Sequence, residues 1–379
     1  MTVHKRRTGL MALCTAGLLA CATILSAGCD DGDDGGSTCT FDQSVPSARY
    51  LCQSVVLERE DPAPGISIYT FDPESGPMCL NGSNYRVIAR DGTTDELVFF
   101  MPGGGACFPG DGICLAENST APRTLPNNLF VSNDPAVNPL WSGANLVLIN
   151  YCDASLHAGD TATQQPSGEV RNFRGLRNVS AAIDVARERY PVPSRIILAS
   201  DSGGSLGALI AVVTLRAAYP DTPIFVVQNG APGVIAGDVD PEFTDGLIDG
   251  WGVRSSVPSG CTDCFSDGHL LPIVRYVLDT DDNVRFASFT STRDSILNVF
   301  LAAGDTGMTA ADYERFVRTE LPALAAAYPG RYGSFVINGT APSANSFTLE
   351  NEGVTYGDWL TDFLSGAASW SSVIAPPPE

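Results

Sequence analysis

Lysine is nearly absent from this chain. Lys5 is the only one in 379 residues, and 22 Lys+Arg face 43 Asp+Glu for a formal charge of −21. So acidic a body lacks the basic footprint that nucleic-acid binding requires, and it argues against a generally polyanionic partner. Histidine is scarce as well: His4, His157 and His269 are all there are. That scarcity bears on metal binding. Cys261-Thr-Asp-Cys264 has zinc-knuckle spacing, but no second Cys-x-x-Cys pair and no His pair exists to complete a tetrahedral shell, which disfavours a metal site. No internal repeat is visible. Past the N-terminus, no segment is apolar enough to span a bilayer, which takes about 20 apolar residues.

The N-terminus is different in kind. His4-Lys-Arg-Arg7 is a basic region, Gly9 to Leu25 is an uncharged apolar run, and Leu25-Ser-Ala-Gly-Cys29 follows. Basic, then apolar, then small residues is the order of a secretory signal peptide rather than a membrane span. Leu-Ser-Ala-Gly-Cys also resembles the bacterial lipobox, in which the Cys receives a diacylglycerol and becomes the new N-terminus. Residues 1–28 are therefore expected to be a signal peptide and Cys29 a lipidated residue. Each acyl CH₂ buried in a membrane is worth about 0.8 kcal/mol, so the expected location is the cell envelope, anchored to a bacterial membrane. Residues 29–38 are acidic and Gly-rich and read as a disordered tether. Residues 39–379 read as one domain, long but ordinary for an α/β enzyme. Eight cysteines remain after Cys14, Cys21 and Cys29: an even number in an exported chain, which suggests disulfides.

Along the body, short apolar runs end repeatedly in Gly or polar clusters. Glu96–Met101 runs into Pro102-Gly-Gly-Gly105, Leu146–Ile149 into Asn150-Tyr-Cys152, and Arg195–Ala199 into Ser200-Asp-Ser-Gly-Gly204. Ile224–Val227, Arg285–Thr290 and Ser334–Ile337 behave alike. These are predicted buried strands bounded by turns. Helical spacing is found over Arg174–Tyr190, Ser205–Tyr219 and Ala310–Tyr328. The alternation predicts an α/β fold, a mostly parallel sheet flanked by helices, with ligands at the carboxyl ends of the strands.

Two of those strand ends carry candidate chemistry. In Ile196–Ala208 an apolar strand enters a tight turn around Ser202 and a helix leaves it, the context of a nucleophile elbow. Ser200 and Gly204 supply the small residues two positions to either side, with Ser200 in place of the usual Gly. The amide of Gly203 and the helix N-terminus would then face a developing oxyanion. The run Gly103-Gly-Gly-Ala-Cys107 could aim further amides at the same point, or could be a flexible surface loop.

Cys79-Leu-Asn-Gly-Ser83, Gly103–Cys107, Asn138-Pro-Leu-Trp141, Tyr151-Cys-Asp153 with Gly159-Asp160, Arg174-Gly175 with Asn178, the Ser202 elbow and Thr292-Arg-Asp-Ser295 occur in that order. Together they resemble the pectin acetylesterase/Notum family of serine carboxylesterases over about residues 75–370. The resemblance implies an α/β-hydrolase-like fold and hydrolysis of carboxylic esters, with an acylated small molecule or polysaccharide as substrate and no cofactor. It implies Ser202 as nucleophile and Asp294 as the acid. It implies Gly105, Ala106 and Gly203 as oxyanion-hole positions, where Ala106 replaces the family's usual Trp and keeps its amide. Cys79–Cys152 and Cys107–Cys114 are the implied disulfides; Cys39–Cys52 and Cys261–Cys264 would follow by elimination.

The chain departs from the family at one place that matters. The family's catalytic His should lie near Asn338–Leu349, where Asn345, Ser346 or Phe347 stands instead. A Ser hydroxyl needs a base to accept its proton, so either His157 or His269 replaces the missing residue, or the chain is a weak or inactive relative. In the latter case it would act as a membrane-tethered ligand-binding lipoprotein. Gln228-Asn-Gly230 also departs from the Asp-Ser-Gly usual in the family.

Overall fold

The computed structural model describes residues 45–110 and 113–378. The expected signal peptide and tether, with Cys29 and Cys39, fall outside them. The described chain opens with an antiparallel run, β1 (Val56–Ala63), β2 (Ile66–Phe71) and β3 (Arg86–Arg90), then β4 (Leu97–Met101) and β5 (Asn145–Ile149). A small hairpin of β6 (Thr161–Gln164) and β7 (Val170–Phe173) leads into α1 (Gly175–Arg189). Alternation follows: β8 (Ile196–Asp201), α2 (Gly203–Ala218), β9 (Ile224–Asn229), α3 (Pro241–Gly250), α4 (Leu271–Thr280), β10 (Val284–Ser291), α5 (Ser295–Ala303), α6 (Ala310–Ala327) and β11 (Tyr332–Ile337). A two-residue ladder, β12 (Glu350–Asn351) with β13 (Val354–Thr355), precedes α7 (Tyr356–Ser365) and β14 (Val373–Ile374).

Ten strands form one sheet in the order β1-β2-β3-β5-β4-β8-β9-β10-β11-β14. Every pairing from β5 to β14 is parallel; those among β1, β2, β3 and β5 are antiparallel. This is the mostly parallel, helix-flanked sheet of an α/β-hydrolase-like fold.

The central strands are buried on both faces, which is why they read as continuous apolar runs. In β4, Leu97, Phe99 and Met101 join the core under α1, α2, α4 and α6, while Val98 and Phe100 join a second core with Phe130, Trp141, Phe347 and α7. Helix α2 is apolar almost all round and correspondingly buried between the sheet and its neighbours. Edge strand β1 is the opposite: Val-Leu-Glu-Arg-Glu-Asp-Pro-Ala, exposed along nearly its whole length, with charge and Pro where an edge must resist further pairing.

Candidate active site

The site lies at the carboxyl ends of β4, β8 and β10. Ser202 sits between β8 and α2 with φ +48° and ψ −121°, a positive-φ backbone that a side chain rarely adopts. Close packing enforces it. A Cβ at Gly204 would stand 2.0 Å from the Met101 carbonyl oxygen, and one at Gly103 would stand 2.8 Å from Cβ of Ser202. Ser200, the departure from Gly in the elbow, is buried and satisfied, donating to the Val227 carbonyl at 3.0 Å and lying 3.2 Å from the Ser205 hydroxyl.

The Gly-rich loop is held by its carbonyls. Tyr151 donates its hydroxyl to Gly105 O at 2.6 Å, Glu117 N donates to Gly104 O at 2.8 Å and Leu115 N to Ala106 O at 2.8 Å. Trp251 Nε1 donates to Cys107 O at 2.9 Å, and Cys107 is bridged to Cys114. With those oxygens tied away, the amides of Gly105, Ala106 and Gly203 are left without a protein acceptor among the described residues. Gly105 and Gly203 line one cavity together with Ser202 and Asp294; Ala106 is fully buried and does not line it. Gly203 also opens the sixteen-residue helix α2, whose N-terminal partial charge favours an anion there.

Asp294 follows β10 and caps α5. Its Oδ1 accepts from Ile296 N and Leu297 N, both at 2.9 Å. Burial pushes its carboxyl up to about 6 against those two bonds. The remaining walls of the cavity are Leu156, Leu206, Ala231, Ile296, Leu297 and Phe300.

Neither body histidine lines this cavity. His157 is buried, stacks on Tyr151 at 4.5 Å between ring centroids, and places Nε2 2.8 Å from Pro102 O. Its Nδ1 has no partner, and burial lowers its pKa to about 4, so it is a neutral buttress of the Gly-rich loop. His269 accepts from Ile235 N through Nδ1 at 3.0 Å and packs edge-on against Phe316. On the segment that should hold a His, Asn345 is exposed, Ser346 bonds Thr348, and Phe347 is buried against Phe130, Trp141 and Tyr356. None of the three lines the cavity.

Beside the elbow is a polar network that sequence reading did not find. Asp201 is held by Asn128 and by Asn229 Nδ2, the latter at 2.7 Å. Asn229 also makes two bonds to the Ala344 backbone, at 2.7 and 2.9 Å. Thus Asn229, within the Gln-Asn-Gly departure, fastens the 341–349 segment to the turn that carries Ser202. Asn128 sits in a loop of ordinary composition, and nothing in its sequence context signals that role. The disulfides Cys79–Cys152 and Cys261–Cys264 lie elsewhere in the body.

A serine on a strained strand–helix turn, at the carboxyl edge of a parallel sheet, facing unpaired amides, places the chain in the α/β-hydrolase-like class. The comparisons narrow the class. Residues 63–231 match the family model described as Pectinacetylesterase. Pectin acetylesterase 5 of Arabidopsis thaliana is 24% identical over 241 residues, 58% of this chain and 56% of that protein. Pectin acetylesterase 4 of the same plant is 28% identical over 176 residues, 41% of each. The chain spans about half the length of the curated relatives it matches. The segment that carries the elbow and the Gly-rich loop is thus similar to the pectin acetylesterases, in line with the resemblance read from the motifs. Asp294 and the 341–349 segment lie beyond the family match.

Proposed function

We propose that the protein is a carboxylic ester hydrolase in which Ser202 attacks the acyl carbonyl and the amides of Gly105 and Gly203 hold the oxyanion. The observation that carries this reading is the strained Ser202 sharing a cavity with Gly105 and Gly203, whose amides have no protein acceptor among the described residues. Amides fixed in advance where charge develops are among the largest contributors to acyl-transfer catalysis. The substrate class is an acetyl or other acyl ester of a small molecule or polysaccharide, by analogy with the named relatives. Hydrolysis of p-nitrophenyl acetate by the full chain and by Ser202→Ala tests it. The parent is expected to turn over and the variant to fall to the buffer rate. Two proteins that both match buffer would leave the cavity as a ligand-binding site only.

We further propose, from the basic, apolar and Leu-Ser-Ala-Gly-Cys29 order of the N-terminus, that the protein is exported to the cell envelope and lipid-anchored through Cys29. Among the described residues no helix is long and apolar enough to cross a membrane. Metabolic labelling with a fatty acid should mark the parent and be lost in Cys29→Ser; labelling retained in the variant contradicts the anchor.

A further inference from the structure

The esterase reading leaves a proton without a carrier. Among the residues lining the Ser202 cavity, only Ser202 and Asp294 have side chains able to exchange one; the other walls are Gly, Leu, Ala, Ile and Phe. An acid that merely orients an imidazole gives it one carboxylate oxygen, and no imidazole lines this cavity. His157 is directed to Pro102 O, and His269 accepts from Ile235 N. Both helix-capping bonds to Asp294 fall on Oδ1, so Oδ2 has no protein donor among the described residues.

We propose that Asp294 is itself the general base for Ser202, receiving the hydroxyl proton on Oδ2 directly or through one water, so that the site works as a Ser–Asp pair with no imidazole. The inference rests on the esterase reading. In the first half-reaction the Ser202 Oγ–H proton passes to Asp294 as Oγ bonds the acyl carbon. The tetrahedral oxyanion sits on the Gly105 and Gly203 amides. Its collapse breaks the ester C–O bond, and the leaving alkoxide takes the proton back. In the second, water attacks the acyl-serine, gives one proton to Asp294, and that proton returns to Oγ as the acid departs. Ester and water become acid and alcohol, and the site is regenerated.

The surroundings suit a carboxylate to this task. From α6, Tyr313 faces Asp294 with its hydroxyl 3.1 Å from Thr290 Oγ1, and burial keeps the phenol neutral. Arg293, the adjacent cation, is turned to Glu314 at 2.8 Å. Ile296, Leu297 and Phe300 supply only apolar wall. Burial without a paired cation raises the carboxyl to about 6, near the ordinary imidazole value of about 6.5. A base of that strength suits proton transfer near neutral pH.

The experiment is the pH profile of kcat/KM for p-nitrophenyl acetate with the full chain. Asp294→Asn, Ser202→Ala, His157→Gln and His269→Gln are compared with the parent, alongside the rate at which a fluorophosphonate labels Ser202. Asn retains an oxygen for the helix cap, so Asp294→Asn should fold. The parent is expected to show one ascending limb near pH 6 and a plateau above it. Asp294→Asn should lose about 10²- to 10⁴-fold in both turnover and labelling, together with the limb. The two His variants should keep the limb where it is. A limb that survives in Asp294→Asn, or disappears in either His variant, overturns the inference while leaving the esterase reading intact. Turnover unchanged in Ser202→Ala, or a Ser202 that neither turns over nor labels, overturns both.

Discussion

Ser202 holds a backbone conformation in which glycine is at ease and any side chain is strained. Replacing it with Gly should therefore stabilise the fold by about 1 kcal/mol while removing the proposed nucleophile. Denaturant unfolding of Ser202→Gly checks this, and a loss of stability would show that the turn is not strained. Asn229 is the converse case. Its side chain satisfies Asp201 and both backbone groups of Ala344. Truncation leaves buried polar groups unpaired, at about 1–3 kcal/mol each. Asn229→Ala is expected to destabilise by at least about 2 kcal/mol in the same assay; a change within a few tenths would show that water replaces the amide. The sequence named Ser202 and Asp294, the latter through family resemblance. It could not show that Asp294 directs one oxygen at its own helix and, among the described residues, leaves the other without a donor, nor that His157 turns toward Pro102, because those depend on how the folded elements orient the side chains.

Among elements, the Gly-rich loop has the most specific demand placed on it. Three glycines have no preference for one shape, so Tyr151, Glu117, Trp251, His157 and the Cys107–Cys114 bridge must impose it. A bridge that closes so short a loop stabilises by roughly 2–3 kcal/mol. The double variant Cys107→Ser, Cys114→Ser should stay folded but lose activity beyond what that destabilisation explains. Hydrolysis measured well below the unfolding midpoint checks this, and undiminished kcat would mean the bridge does not position the oxyanion amides. Elements were legible where both faces are buried. The predicted strands ending at Met101, Ile149 and Ile337 end there in the fold, and the predicted helix Ala310–Tyr328 is α6. The antiparallel end was not legible: β1 is charged and exposed, so neither alternation nor an apolar run marks it. Helix α7 is short and follows a two-residue ladder, with too few turns for its period to stand out.

At the scale of the whole molecule, buried acid shapes the response to pH. Burial raises Asp153, Asp184, Asp201 and Asp294 to about 6 each. A carboxyl raised on folding stabilises most below its unfolded value, and that stability is lost as pH rises through about 6. His157 acts oppositely: depressed to about 4, it loses stability as pH falls from the unfolded value of 6.5. Burial depresses His269 as well; four carboxyls against these two histidines, in a chain of net charge −21, still give a Tm higher at pH 5 than at pH 7.5. Below about pH 4 it should fall again, as Asp91 and Asp160, both held low by partners that include Arg189 and Arg177, begin to protonate. Scanning calorimetry across that range checks the sign; a Tm that rises steadily from pH 5 to 7.5 contradicts it.

The most direct test of the central claim is to trap the acyl-enzyme. The full chain would be mixed with p-nitrophenyl acetate, quenched in acid within the first turnover, and its peptides weighed. An acetyl group on the peptide that holds Ser202, absent in Ser202→Ala, is the predicted result. Release of p-nitrophenol with no acetyl on Ser202, or with acetyl on another residue, would contradict it.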